Sequence, residues 1–273
     1  MIYITDYIND FSIEKKILKN SLITYKDKKI NFSSVKVIIV WHEKINKEFL
    51  KQFPNTKVVI RYGVGYDNVD VNYLKKKKII FCNNPDYGVE EVSNTALAMA
   101  LSLLRKIYEY DILSKKLLLK KNNEWQEKIF KNTLRLSKIK VGVIGAGRIG
   151  SAFIHKSKEI FTNISFYDPN LPLGYEKIFN CNRHYNFNNL LKNSDLITIH
   201  APLIKETKNL INKNNIKLLK KNVIIINTAR GGIIEDIDIF YDKFIKNEIG
   251  GLGIDVLKDE PPNINKSKIL KLW

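Results

Sequence analysis

The 273-residue chain has few of the features that mark a secreted or membrane-spanning protein. Its only cysteines, Cys82 and Cys181, are too few for a disulfide framework. No apolar run reaches the roughly 18 residues that a membrane-spanning helix requires. The first residues combine neither a basic head nor the long apolar stretch of a secretory signal. We therefore expect a soluble protein of the reducing cytoplasm.

Arginine is also scarce, although the formal net charge is +18. Only six of the 46 basic residues are arginine, and the lysines are spread along the whole chain. A basic excess can indicate a nucleic-acid partner, but such footprints usually cluster on one face and include arginine. The composition favours a general bias toward lysine, and we expect neither a nucleic-acid nor a membrane partner.

Short apolar runs alternate with segments of helical spacing, which is the pattern of an α/β fold. Because parallel strands need crossover connections, the five strands of the second series predict a doubly wound parallel sheet, and the length suits two domains. A long helical segment at 89–121 separates the two series of strands. The predicted strands are 35–40, 58–60 and 79–81, then 140–144, 163–167, 196–199, 223–226 and 251–255.

A glycine-rich turn with the spacing G-x-G-x-x-G follows the strand 140–144. Gly145 permits a tight turn, Gly147 lets backbone amides approach a pyrophosphate, and Gly150 lets helix and strand pack closely. Asp168 ends the next strand, where an acid can bind both hydroxyls of a ribose. The alternative is a structural turn with an unrelated surface aspartate.

The same carboxylate distinguishes between the two nicotinamide cofactors. Asp168 would repel a 2′-phosphate, and the following residues, Pro169 and Asn170, provide no arginine to hold one. The sequence therefore favours NAD over NADP, and no metal site is predicted.

Three further charged residues lie at or after the ends of the last two predicted strands. Arg230 lies where ligands bind in an open parallel sheet, and its guanidinium suits a carboxylate; a surface salt-bridge arginine is the alternative. Asp255 ends the final strand, where it could face the nicotinamide. Glu260 is either a group that orients a neighbouring imidazole and raises its pKa or an ordinary loop carboxylate.

Together these segments resemble the D-isomer-specific 2-hydroxyacid dehydrogenase family, most closely the branch that contains the C-terminal-binding-protein corepressors. The resemblance implies an NAD-dependent oxidoreductase that acts on the CH–OH group of a small 2-hydroxy acid, or on the matching 2-oxo acid. The segments that match in family order are 61–70 (RYGVGYDNVD), 84–92 (NPDYGVEEV), Trp125, 145–150 (GAGRIG), 166–169 (FYDP), 200–202 (HAP), 228–232 (TARGG) and 255–261 (DVLKDEP).

The resemblance also implies the domain organisation and the site residues. Residues 1–92 would form a smaller, flavodoxin-like substrate domain and 93–273 a Rossmann cofactor domain, with a cleft between them and a homodimer built through the cofactor domain. Arg230 and Glu260 would be catalytic. The substrate would be received by Gly63, Val64 and Gly65. His200 would be a structural neighbour of the nicotinamide ribose rather than a proton donor. The remaining NAD contacts would come from Arg148, Ile149, Asp168, Ala201, Thr228, Ala229 and Asp255.

One expected residue has no counterpart in the sequence. In the family a Pro-His pair beyond the glutamate supplies the proton, but none of the 13 residues after Glu260 is histidine, and the family's closing segment is missing too. General acid catalysis typically contributes about 10²- to 10⁴-fold, so we expect impaired turnover with NAD binding retained. Among the four histidines, His42 is the least implausible substitute, ahead of His155 on a helix and His184 in a surface loop. The alternative function is an NAD-binding scaffold or an inactive remnant.

Overall fold

The structure is a computed structural model that describes residues 1–6, 10–120 and 133–272. The chain divides into two compact units, Met1–Gly88 and Val89–Trp273. Each unit contains one sheet in which every strand pair is parallel, which confirms the predicted fold class. Trp125 and the predicted helix end at Lys121 lie outside the described residues.

The first unit contains a five-stranded sheet in the order β2-β1-β3-β4-β5, the flavodoxin-like arrangement. The first two strands were not predicted, because three residues are too few to carry a recognisable pattern. The strands are β1 (Ile2–Ile4), β2 (Leu22–Thr24), β3 (Val37–Val40), β4 (Val58–Arg61) and β5 (Ile80–Asn83). The helices are α1 (Ser12–Leu18), α2 (Lys47–Leu50) and α3 (Val71–Lys76), with 3-10 turns at Lys19–Ser21 and Phe32–Ser34.

The second unit contains a six-stranded sheet in the order β11-β10-β9-β6-β7-β8. Counted within this unit, the order is that of dinucleotide-binding sheets, in which the connections reverse direction beside the first strand. The five predicted strands are present, and a two-residue edge strand was missed. The strands are β6 (Lys140–Ile144), β7 (Asn163–Tyr167), β8 (Asn182–Arg183), β9 (Leu196–Ile199), β10 (Val223–Asn227) and β11 (Ile249–Ile254).

Six α-helices of the second unit lie within the described residues. They are α4 (Val89–Leu104), α5 (Ile107–Lys120), α6 (Arg148–Ser157), α7 (Tyr175–Ile178), α8 (Phe187–Asn193) and α9 (Tyr241–Ile245). The 3-10 turns are Leu136–Lys138, Ile216–Leu218, Gly231–Ile233, Ile237–Phe240, Ile264–Lys266 and Leu270–Leu272.

The prediction of one unbroken helical segment at 89–121 was wrong, because the chain turns between α4 and α5. Lys106 has a left-handed backbone with φ of 56°, which cannot continue a helix. Its ammonium donates to the carbonyl of Gly250 at 3.2 Å and pairs with Glu109 at 3.1 Å. These contacts stabilise the end of α4 against β11.

The central strands β9 and β10 are buried along their whole length, because helices and turns cover both faces of the second sheet. One face packs against α4 and α6 through residues such as Ala96, Ala100 and Phe153. This burial explains why the strands read as continuous apolar runs rather than as alternating patterns. Within the described part of the chain, no helix is both long enough and apolar enough to cross a membrane.

Candidate functional site

Five strands of the second sheet end level with one another. Their register places Ile144 opposite Tyr167 and Ile199. It also places Asn227 opposite Ile199 and Ile254. Since all five strands are parallel, the residue that follows each strand lies at the same edge of the sheet. We call these five residues the carboxyl-edge row. The row consists of Asp168, Gly145, His200, Thr228 and Asp255, in the order of the sheet.

The glycine turn lies where the sheet connections reverse, between β6 and β9. Gly145 has a φ of +83°, and its N–H donates to the carbonyl of Tyr167 at 2.9 Å. A Cβ on this glycine would lie 2.8 Å from the nitrogen of Ala201, so the turn packs directly against the end of β9. A Cβ on Gly150 would lie well inside 3.0 Å of the Gly145 carbonyl oxygen. Both glycines are therefore required by close backbone packing.

Gly147 differs from the other two glycines because a Cβ there would meet nothing within 4 Å. It is the N-cap of α6 and has no side chain to accept from the first N–H groups of the helix, and it is exposed together with Arg148. Uncapped amides at the positive end of a helix dipole form a site for an anion. The open space beside Gly147 therefore fits a pyrophosphate.

Asp168 is tied to the glycine turn from the neighbouring strand end. One carboxylate oxygen accepts from the N–H of Ala146 at 3.0 Å, and the other accepts from the N–H of Asn170 at 2.9 Å. A carboxylate oxygen can accept a second hydrogen bond, so these contacts orient the group and leave capacity for hydroxyl donors. The geometry suits the two hydroxyls of a ribose.

The turn after β10 is held by a residue to which the sequence assigned no role. Asn227 is fully buried; its amide donates to the carbonyl of Arg230 at 3.0 Å, and its oxygen accepts from the N–H of Ala229 at 3.1 Å. Asparagine at the end of a strand commonly closes a turn in this way, which is the signal that could have identified it. Asn227 thereby fixes the segment that carries Thr228 and Arg230.

Two buried polar atoms of the carboxyl-edge row, Oγ1 of Thr228 and Nδ1 of His200, have no hydrogen-bond partner among the described residues. Buried polar groups are usually paired, so these atoms fit a polar ligand such as a nicotinamide ribose. The other ring nitrogen of His200 lies 2.9 Å from Oγ1 of Thr198. Burial of the ring lowers the pKa of His200 to about 3, so the imidazole is neutral near pH 7.

The two predicted catalytic residues lie in the loops that follow β10 and β11. Arg230 is half-buried and donates through Nη1 to the carbonyl of Ala229 at 2.8 Å. Glu260 is exposed, and one of its oxygens accepts from the N–H of Leu257 at 2.8 Å. Asp255 is exposed as well, and its N–H donates to the carbonyl of Asn227 at 3.0 Å. In this structure Glu260 stabilises its own loop.

The predicted substrate loop follows β4 in the first unit. Gly63 has a φ of +136°, and its carbonyl accepts from the N–H of Asn84 at 3.1 Å. The side chain of Asn83 donates to the carbonyl of Val64 at 2.8 Å. Within the described residues, no protein group accepts from the N–H of Val64 or Gly65. Two adjacent amides of this kind fit a carboxylate.

The other three histidines lie outside the carboxyl-edge row. His42 is exposed after β3, and its backbone N–H donates to the carboxylate of Asp6. His155 is exposed on α6. His184 lies in the loop after β8 and is half-buried, and burial lowers its pKa.

The comparisons with known proteins agree with this geometry. Residues 97–272 match the family described as D-isomer specific 2-hydroxyacid dehydrogenase, NAD binding domain. The chain is 34% identical over 222 residues to D-3-phosphoglycerate dehydrogenase of Methanocaldococcus jannaschii, covering 81% of this chain and 41% of that protein. It is 33% identical over 220 residues to glyoxylate reductase of Thermococcus litoralis, covering 80% and 66%. The chain thus spans less than two thirds of the length of either relative.

A solved structure extends the similarity to both units. D-lactate dehydrogenase from Aquifex aeolicus, complexed with NAD and lactic acid, superimposes with a TM-score of 0.82 at 31% identity. The match covers 99% of this chain and 80% of that one.

Proposed function

Because this chain belongs to the D-isomer-specific 2-hydroxyacid dehydrogenase family, we propose that it transfers a hydride between NAD(H) and a small 2-hydroxy or 2-oxo acid. The carboxyl-edge row is the observation that carries the proposal, since it aligns a glycine turn, a ribose-binding acid and two orphaned polar atoms. Dinucleotides bind at this edge in sheets of the same strand order.

The second unit holds the cofactor. When bound, NAD supplies or accepts the hydride. The amides of Gly147, Arg148 and Ile149, at the uncapped start of α6, would hold its pyrophosphate. Asp168 accepts from both hydroxyls of the adenosine ribose and repels a 2′-phosphate. His200, Ala201, Thr228, Ala229 and Asp255 line the nicotinamide side of the row.

The substrate is recognised by its carboxylate. In the first unit, the amides of Val64 and Gly65, next to Gly63, receive a carboxylate group. In the second unit, Arg230 offers a planar guanidinium suited to bidentate contact with a carboxylate. Glu260 is suited to orient a neighbouring imidazole and to raise its pKa. The roles of Arg230 and Glu260 are supported by their positions after β10 and β11.

Calorimetric titration with NADH, followed by single-turnover reduction of glyoxylate or hydroxypyruvate, tests the proposal. We expect NADH to bind and its absorbance to decay when either acid is added. Arg230→Met should still bind NADH but transfer hydride at least about 100-fold more slowly, because the carboxylate loses its charged partner. Arg105→Met, at an exposed arginine just after α4, is the matched control and should behave as wild type.

Three outcomes separate the alternatives. Binding with turnover supports the dehydrogenase. Tight binding without turnover of any 2-oxo acid supports the NAD-binding scaffold or inactive remnant. No affinity for NADH or NAD contradicts both functions.

We also propose a cytoplasmic homodimer built through the second unit, with no nucleic-acid partner. Helix α5 exposes three large apolar side chains, Ile107, Tyr108 and Leu118, which suit burial against a second copy of the chain. Light scattering should give twice the 31.7 kDa of one chain. Leu118→Lys should shift the mass toward one chain, and an unchanged mass would place the interface elsewhere.

A further inference from the structure

Arg183, on the edge strand β8, holds the backbone of the loop that follows β7. Its Nη2 donates to the carbonyls of Asp168 and Leu171, both at 2.7 Å, and its Nη1 donates to the carbonyl of Pro172 at 2.8 Å. These three carbonyls belong to one five-residue segment, 168–172, which we call the ribose loop. A single planar guanidinium therefore fixes both ends of this loop.

The guanidinium is also fixed by aromatic rings. Its central carbon lies 5.6 Å from the ring centroid of Phe166 and 5.2 Å from that of Tyr185. Phe166 is completely buried in the core of the second unit. Such cation–π contacts restrict the plane of an arginine and leave its edge to donate hydrogen bonds. Arg183 thus links the ribose loop to the packed core of the second unit.

The ribose loop carries the carboxylate of Asp168. Arg183 holds the backbone of that residue, while the N–H groups of Ala146 and Asn170 hold its two carboxylate oxygens. Recognition of two adjacent hydroxyls requires a carboxylate placed to within about 0.5 Å. A loop held only at its strand end would not meet this requirement, because its remaining residues, from Pro169 onward, are outside the sheet.

The contacts of Arg183 also argue against a second role for it, the binding of a 2′-phosphate. An arginine next to a ribose site would ordinarily be expected to attract a 2′-phosphate. Here both terminal nitrogens are turned toward backbone carbonyls of the ribose loop. The positive charge therefore positions an acid that excludes the phosphate.

We propose that Arg183 is the positioning residue for cofactor specificity: by clamping the ribose loop, it sets Asp168 to select the adenosine 2′-hydroxyl and reject a 2′-phosphate. This inference rests on the proposed use of NAD. It predicts that removing the clamp weakens recognition of the 2′-hydroxyl specifically, with the fold of the second unit preserved.

The inference is tested by measuring dissociation constants for NADH, NADPH and 2′-deoxy-NADH, the analogue that lacks the 2′-hydroxyl of the adenosine ribose. The three proteins compared are wild type, Arg183→Met and the control Arg105→Met. In wild type, loss of the 2′-hydroxyl should weaken binding about tenfold, the usual effect of one hydrogen bond to a charged group. In Arg183→Met, NADH should bind about tenfold more weakly, and the penalty for 2′-deoxy-NADH should shrink to about twofold or less. The preference for NADH over NADPH should fall in parallel.

A merely structural role would weaken both cofactors equally and leave the 2′-deoxy ratio at its wild-type value, which would overturn the inference. Circular dichroism verifies folding, and Arg183→Gln replaces Arg183→Met if the latter does not fold. Failure of both variants to fold would also overturn the inference, because Arg183 would then hold the unit rather than the acid. A wild-type protein without affinity for NADH would instead contradict the proposed function.

Discussion

The backbone of Leu257 lies where a side chain on Gly231 would have to go. A Cβ on Gly231 would fall well inside 3.0 Å of the carbonyl group of Leu257 and the nitrogen of Lys258. The turn that carries Arg230 therefore packs directly against the loop that carries Glu260. The absence of one side chain brings the two proposed catalytic loops of the second unit into contact.

Gly231→Ala should destabilise the protein and slow hydride transfer. The new methyl group would collide with backbone rather than with a flexible side chain, and overpacking of this kind typically costs about 1–3 kcal/mol. Urea unfolding and single-turnover kinetics measure the two effects. Gly232→Ala is the control, because the atoms nearest to its Cβ would be side-chain carbons of Leu203, the closest at 3.2 Å. Equal stability of the two variants would contradict the prediction.

Gly147→Ala should mainly weaken NADH binding, whereas Gly150→Ala should mainly destabilise the protein. A methyl group at Gly147 would enter open space, so the loss of stability should not exceed the roughly 1 kcal/mol that alanine costs at an N-cap, while NADH binds at least tenfold more weakly. Alanine is a better helix former than glycine by up to about 1 kcal/mol. At Gly150, however, the clash with the Gly145 carbonyl should outweigh this gain and cost about 1–3 kcal/mol.

Thermal unfolding without cofactor and titration with NADH distinguish the two glycine variants. Normal NADH affinity in a folded Gly147→Ala protein would argue against a pyrophosphate beside this residue.

Thr228→Val should stabilise the protein without cofactor and weaken cofactor binding. The Thr228 hydroxyl is buried and, among the residues described, has no hydrogen-bond partner, so its removal relieves a desolvation penalty of about 1–3 kcal/mol. The same hydroxyl is proposed to contact NAD, so NADH affinity should fall about five- to tenfold. Denaturant unfolding and calorimetry give both numbers. A variant that is destabilised yet binds NADH normally would contradict the proposed contact.

His200 should make stability depend on pH below neutrality. Burial lowers its pKa from 6.5 to about 3, so the native state keeps the imidazole neutral while the unfolded state takes up a proton as the pH falls below 6.5. The free energy of unfolding should therefore decrease from pH 6.5 toward pH 3, by at most about 1.4 kcal/mol per pH unit. Above pH 6.5 this contribution is fully present.

Urea unfolding of wild type and His200→Gln at pH 6.5, 5.5 and 4.5 measures the effect, because other groups titrate equally in both proteins. The wild-type curve should fall more steeply than that of the variant. Parallel curves would show that the imidazole takes up its proton equally in the folded and unfolded states.

Much of the second unit could be predicted from the sequence. Its strands are buried on both faces, so they appear as continuous apolar runs, and each run is followed by a residue with distinctive chemistry, such as Gly145, Asp168 or Arg230. Parallel pairing then brings these residues to one edge whatever the details of packing. The short strands β1, β2 and β8 escaped because two or three residues carry no periodicity.

The sequence by itself determined the fold class, the glycine turn and the identity of the residues at the carboxyl edge, because these depend on local apolar runs and on the steric freedom of glycine. Only the tertiary structure decided that the five strands end level, that Asn227 closes the turn beneath Arg230, and that Arg183 clamps the loop of Asp168 from 15 residues away. Those relationships depend on hydrogen bonds between particular atoms, and no periodic pattern of residue types in the sequence reveals them.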